Sequence, residues 1–393
     1  MTTGVLKKPG VPGRKTTTCG GSVLLLAPQI YAHGGVQSYM RRLAVILTAY
    51  CGGSGHTCVS LAIGRRGFRE VDGSQAGEGA PPVVDAFGCK LRMVANAFQA
   101  AWRTRARIAV VGHTGLGPVA FALKACGLIR SYVVVLHGIE AWQRLSMADR
   151  IAARCASLTI ATTEFTARRF AEINGYPINR VLVVPLAVEE DSIPQPAPTR
   201  PCQDMRVLTV GRLSRLEQYK GVDHLIDAVA ALVTTGTPVT LDIVGDGDDS
   251  PALKQRAIRS GASDAIRFHG AVSDERLREL YRSSDVFAMP SLNEGFGIVF
   301  LEAMRYGKPC IGGRHGGTPE VVQDGINGLL VQHGDVNHLI GCLRELYSNH
   351  NLRRRLGERA YHTVVGKFLM PRMRADWFRV LDTAFRASEQ TTS

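Results

Sequence analysis

One pattern recurs from Ser22 to Val331: a short run rich in Val, Ile and Leu, a glycine or polar turn, then a stretch with helical spacing. Runs that are apolar throughout, rather than alternating, are strands covered on both faces. Strand, turn and helix in that order build a parallel α/β sheet, because each parallel strand needs a crossover to return. SVLLLAP, CVSLAIG, IAVVGHTGLGP, SYVVVLHGIEAW, ASLTIATTEFTARRF and RVLVVPLAV open six such units in the first half. Residues 189–204, EEDSIPQPAPTRPCQD, break the pattern with four prolines and few apolar side chains, which marks a linker. The pattern restarts with MRVLTVGRL, VTLDIVGDG, AIRFHG, DVFAMPS, KPCIGG and GLLV. Helical runs near 336–348, 351–366 and 371–387 close the chain.

The expected class is α/β: two Rossmann-like domains facing a central cleft, each presenting the carboxyl ends of its strands to it. The boundaries read as a disordered tail at 1–20, an N-terminal domain at 21–190, a linker at 191–204 and a C-terminal domain at 205–368. A last helix at 369–393, with a short tail, is expected to pack back on the N-terminal domain.

The stretch EGFGIVFLEAM, Glu294 to Met304, carries the chemistry most directly. A buried strand turns through Glu294-Gly295-Phe296-Gly297 into an apolar helix. Free amides at a helix start suit a phosphate or another anion. Glu302 sits among Val299, Phe300, Leu301, Ala303 and Met304, so its carboxylate needs a partner or a ligand. The bland alternative leaves Glu294 in water and has Glu302 cap a loop or pair with an arginine. His137 and His113 end two first-half strands, where a lone His is more often a satisfied hydrogen-bonding group than a catalyst. Gly34-Gly35 precedes a helix at about 36–50 and could be loop geometry alone. Residues 91–107 place Leu91, Val94, Phe98, Ala101 and Trp102 at helical spacing, decorated by Arg92, Arg103, Arg105 and Arg107. That helix either packs on the sheet with its arginines in water or touches acidic lipid headgroups.

The net charge of +13 calls for an anionic partner, but it is scattered, and no finger, zipper or aromatic-basic platform accompanies it. Nucleic acid is therefore not an expected partner. The nine cysteines show no C-x-x-C spacing and read as reduced core residues. No apolar run approaches the ~18 residues that span a bilayer.

At this point the chain resembles the retaining nucleotide-sugar glycosyltransferases of the GT-B fold, family 4, also called group 1. GRLSRLEQYKGVDHLIDA, LDIVGDGDD, FHGAVSDERLRELYRSSDVFAMPS, EGFGIVFLEAM and GGTPEVVQDGINGLLV carry the resemblance in the second half, and HGGV and HGIEAW in the first. The resemblance implies that Arg212 and Lys220 hold the donor diphosphate and Glu302 the ribose hydroxyls. It implies that Glu294, with the backbone of Gly295, Phe296 and Gly297, contacts the donor sugar and phosphates, and that His137 lies near the sugar. Gly34 and Gly35 would let the first-domain backbone approach the diphosphate or the acceptor. Arg212, Lys220, Glu294 and His137 are thus the implied catalytic set. Surface charge or an ordinary ion pair remains the alternative for Arg212 and Lys220.

The implied reaction moves a sugar from a nucleoside-diphosphate donor, a UDP- or GDP-sugar, to a sugar or polyprenyl-diphosphate-linked acceptor, with configuration retained. No cofactor and no metal are implied; Asp246-x-Asp248 reads as a strand-to-helix turn. The implied setting is the cytoplasm, working at the inner face of the membrane if the acceptor is lipid-linked, with peripheral contact to anionic lipid. The competing readings are the same fold acting on a small soluble acceptor and a non-enzymatic basic binding protein. One departure stands out: LSRLEQY, with a Glu, separates Arg212 from Lys220 where the family often has a shorter or more polar connection.

Overall fold

The computed structural model describes residues 22–30, 34–52, 57–64, 83–190 and 204–390. The expected tail at 1–20 and nearly all of the linker lie outside the described residues.

The first half contains β1 (Ser22–Ala27), α1 (Gly35–Gly52), β2 (Cys58–Ala62), β3 (Val83–Asp85), α2 (Lys90–Thr104), β4 (Ala106–Val111) and α3 (Gly117–Ala125). It continues with β5 (Ser131–Leu136), α4 (Met147–Cys155), β6 (Leu158–Ala161), α5 (Glu164–Asn174) and β7 (Val181–Val183). The second half opens with β8 (Met205–Val210), α6 (Val222–Thr234), β9 (Val239–Val244), α7 (Ser250–Arg259), β10 (Ile266–Gly270) and α8 (Asp274–Ser283). Then follow β11 (Val286–Met289), α9 (Ile298–Met304), β12 (Cys310–Gly313), α10 (Thr318–Val321) and β13 (Gly328–Val331). The last three helices are α11 (Val336–Ser348), α12 (His350–Lys367) and α13 (Met370–Gln390).

These strands form two parallel sheets, ordered β3-β2-β1-β4-β5-β6-β7 and β10-β9-β8-β11-β12-β13. The two-domain α/β fold is the expected one. The first sheet holds one strand more than the six read from the sequence. The extra β3 is a three-residue edge strand without a full apolar run. In each sheet the strand order reverses between the first strand and its fourth, at β1/β4 and at β8/β11. Such switch points open the crevice where ligands bind.

Two of the hydrophobic clusters belong to single domains. A third runs from β1 and α1 through α13 to Phe296 and Met304, so the domains share a core. Trp377 of α13 is fully buried, and its Nε1 donates to Tyr39 Oη of α1 at 3.0 Å. At the crossing between domains, Val188 pairs with Leu369 as an isolated parallel bridge. There the Val188 amide donates to the Phe368 carbonyl at 2.8 Å, and the Met370 amide to the Val188 carbonyl at 3.1 Å.

The arginine-decorated helix α2 differs from its expected packing. Met93, Ala97 and Ala101 are its buried stripe, while Leu91 and Trp102 stand 82% and 72% exposed. The cysteines differ too: Cys51, Cys310 and Cys342 are buried, but Cys126 and Cys155 are exposed, and every described cysteine is free.

Candidate functional site

The turn after β11 gathers most of the charged candidates. Val286 to Met289 are fully enclosed, so the strand is anchored and the chain emerges from it at the sheet's carboxyl edge. Gly297 starts α9 at φ +79°, and a Cβ there would meet the Phe300 ring at 2.5 Å. Only glycine fits that left-handed, crowded position. Gly295 is required for a different reason. A Cβ on it would lie 2.4 Å from the His137 carbonyl, because Gly295 meets the backbone of His137 and Gly138 across the cleft. The two domains touch backbone to backbone at this point. Thr163 Oγ1 adds a bond to the Gly295 carbonyl at 3.1 Å.

Glu294 is half-buried, and its carboxylate accepts from the amides of Phe296 and Gly297 at the start of α9. The amides expected to face an external anion therefore meet the chain's own carboxylate in this structure. Burial raises the Glu294 pKa, against the lowering pull of Lys220 and those two amides.

Glu302, one turn into α9, has a partner. Tyr281 Oη donates to its Oε2 at 3.0 Å. Arg305, and Arg42 reaching from α1 of the other domain, both stabilise its charge, yet burial still raises its pKa. Tyr281 is fully buried, and its phenol is pushed well above the ordinary value by burial and by Glu302.

Arg212 and Lys220 are brought together at the end of β8, but not as free cations. Glu217 Oε1 lies 2.7 Å from Arg212 Nη2, and its Oε2 lies 2.5 Å from Lys220 Nζ. This connection also touches the α9 turn, since the Leu292 amide donates to the Tyr219 carbonyl at 2.8 Å. The Asp246-x-Asp248 pair is engaged locally. Asp246 Oδ1 accepts from the Gly247 amide and Ser250 Oγ, and Asp248 Oδ1 from the Arg215 amide.

His137 reaches the cleft with its backbone. The residue is 7% exposed, its ring packs edge-on to Tyr39 with centroids 5.1 Å apart, and its Nε2 donates to the Gly112 carbonyl at 3.0 Å. Burial lowers its pKa, so the imidazole stays neutral near pH 7 with Nδ1 as the acceptor. Glu140 Oε1 orients this loop by accepting from the His137 amide at 2.6 Å and the Gly138 amide at 3.2 Å. His113 is spent locally: its Nδ1 accepts from the Gly115 amide. Gly34 and Gly35 are exposed at the start of α1.

Four residues near the site had no role read from the sequence: Glu140, Glu217, Arg42 and Glu320. Glu320 Oε2 and Oε1 accept from the Glu164 and Phe165 amides at 2.8 and 2.7 Å, capping α5 from the opposite domain. Glu217 stood in the sequence as a departure from a pattern. The other three gave no local signal, because their partners lie far away in the chain or in irregular loops. Beside this contact a groove of about 940 Å³ is lined by Trp142, Phe165, Arg168, Arg314 and His315, among others.

Residues 201–363 match the family described as Glycosyl transferases group 1, and residues 33–192 match Glycosyltransferase Family 4. A GDP-mannose-dependent alpha-(1-6)-phosphatidylinositol monomannoside mannosyltransferase of Mycobacterium tuberculosis is 34% identical over 226 residues, covering 53% of this chain. The match spans 58% of that relative's length. The N-acetyl-alpha-D-glucosaminyl L-malate synthase of Bacillus anthracis is 35% identical over 156 residues, 40% of each chain. Among solved structures, Anabaena HepE in complex with UDP shares the fold at a TM-score of 0.77 and 21% identity, over 92% of this chain and 100% of that one.

Proposed function

The chain belongs to the group 1 glycosyltransferases of the GT-B fold, and on that premise we propose that it moves a sugar from a nucleoside-diphosphate donor to an acceptor hydroxyl with retention of configuration. The observation that carries this reading is the cluster at the carboxyl ends of β8 and β11, where Arg212 and Lys220 converge beside the Glu294 turn. Two fixed cations offset the charge that grows on a departing diphosphate. In this reading Glu302 would hold the ribose hydroxyls and Glu294 would contact the donor sugar. His137 would meet the sugar side of the cleft through its backbone, and its buried ring is not assigned as a general acid. No protein nucleophile is assigned. Transfer without a metal fits this set, because the charge compensation comes from side chains.

The relatives' names carry both GDP and UDP, so either nucleotide suits the reading. They also carry both a lipid acceptor and malate. The first is favoured by one face of the N-terminal domain. Helices α2, α3 and α4 lie side by side over the first sheet and expose Leu91, Trp102 and Met147, the last 70% exposed. Residues 83–157 hold ten Lys and Arg against three Asp and Glu, a net +7 of the chain's +13. The charge is thus more concentrated than the sequence taken whole suggests. Apolar tips among arginines suit an anionic lipid surface, and hence a polyprenyl- or glycolipid-linked acceptor made in polysaccharide or glycolipid assembly. No described helix is long and apolar enough to cross a membrane.

Thermal-shift measurement against UDP and GDP tests the donor. The better nucleotide should raise the Tm of the wild type, and Lys220→Ala should lose most of that rise while folding normally. An unchanged rise in Lys220→Ala removes the diphosphate assignment. Sedimentation with phosphatidylglycerol vesicles tests the surface. Binding should weaken with salt and drop strongly in Leu91→Ser/Trp102→Ser; equal binding by that double variant counts against this face.

A further inference from the structure

Glu217 stands where the donor reading needs an external anion. Its carboxylate bridges Arg212 and Lys220, and its own side chain and that of Lys220 are each 15% exposed. It comes from LSRLEQY, the stretch that departs from the family's pattern. The backbone there consists of two short turns: the 3-10 segment Arg215–Lys220 is interrupted at Glu217, at φ −119° and ψ 22°. The segment stands out from the domain, with Leu216 89% exposed. It is tethered to the turn after β9, where the Arg215 amide donates to Asp248 Oδ1 and Gln218 Nε2 to the Asp249 carboxylate. Glu294 also faces Lys220, and the Glu217 charge makes ionisation of Glu294 harder. Two carboxylates thus contend for one ammonium. A diphosphate brought to the same cations would meet the repulsion of Glu217 directly.

We propose that Glu217 is the built-in counterion of the empty donor site. It holds Arg212 and Lys220 together in the absence of nucleotide, and it swings away about its own break in the turn when a nucleoside diphosphate takes both cations. This rests on the assignment of Arg212 and Lys220 to the diphosphate and adds to it a residue that sets donor affinity. The arrangement keeps two nearby cations from repelling each other in the empty enzyme. It also makes binding selective for ligands with enough negative charge to displace a carboxylate.

Calorimetric titration of the full chain with UDP and GDP tests this in the wild type, Glu217→Gln, Glu217→Ala and Lys220→Ala, each checked for folding by circular dichroism. Both Glu217 variants should bind the preferred nucleotide at least about fivefold more tightly than wild type, the weight of one partly exposed ion pair. Lys220→Ala should bind more weakly. Unchanged or weaker binding in both Glu217 variants, with Lys220→Ala still impaired, overturns the counterion role and makes Glu217 a support for the cations. No binding of either nucleotide to wild type, or unchanged affinity in Lys220→Ala, overturns the diphosphate assignment beneath it instead.

Discussion

Glu302 takes a hydrogen bond from Tyr281 and the fields of Arg42 and Arg305, and burial still outweighs them. Its folded pKa is raised above the ordinary 4.5. Between those two values the folded chain binds more protons than the unfolded one. The group's contribution to stability is therefore complete below about pH 4.5 and is lost as pH rises through the folded pKa. Glu302→Gln keeps the shape and the Tyr281 bond but cannot ionise. The wild-type Tm should fall relative to Glu302→Gln as pH rises from 4.5 to 7, and a pH-independent gap would speak against a raised pKa. That Glu302 needed a partner was legible, because an acid inside an apolar helix is costly. Which partner it has was not, since Tyr281 ends a different helix and Arg42 belongs to the other domain.

Helix α13 shows the same division one level up. Its apolar residues were readable, and Trp377, Val380 and Leu381 are indeed buried. Its seat against α1, β4 and β5 depends on surfaces that the first half of the chain supplies. Ser131 Oγ donates to the Ala384 carbonyl at 3.1 Å, and Tyr50 Oη to Asp382 Oδ1 at 2.9 Å. Trp377→Ala should cost about 3–5 kcal/mol in denaturant unfolding, as a large buried side chain does. Trp377→Phe keeps most of the area and loses the bond to Tyr39, at about 1 kcal/mol. Because Tyr39 backs the His137 ring, turnover should fall in the Ala variant and largely return in the Phe variant. Equal stability of all three proteins would place the helix outside the folded unit. Helix α2 teaches the reverse lesson. Helical spacing was read correctly, but the buried stripe is Met93–Ala97–Ala101, because small residues let the helix sit close to the sheet and leave Trp102 outside.

Across the whole molecule the domains share a core through α1, α13 and α9, and specific polar contacts join them beside it. Gly295 rests on His137 and Gly138, Thr163 donates to Gly295, and Glu320 caps α5 from the other side of the cleft. The chain crosses between domains at paired segments, Val188 beside Phe368 and Met370. Glu320 is one of the side chains that tie the two domains together across the cleft. Glu320→Ala removes a cap worth about 1 kcal/mol. Small-angle scattering of that variant should show a larger radius of gyration than wild type without nucleotide, with nucleotide affinity little changed and turnover reduced. An unaltered radius would mean that Glu320 caps a helix and no more.

Strand, turn and helix order, the pairing of two α/β halves and the grouping of charged candidates on β–α turns were all readable from the chain. They depend on near-neighbour sterics and on which faces are apolar, and both are local properties. Folding settled where those candidates point. The Tyr39–Trp377 bond joins residues 338 apart, and the Glu164–Glu320 bond residues 156 apart. Even the Arg212–Glu217–Lys220 triplet, close in sequence, depends on an irregular turn whose geometry no periodicity encodes. The Glu294–Gly297 turn is the clearest case. Its glycines read as freeing amides for an anion, and what approaches Gly295 is the other half of the protein.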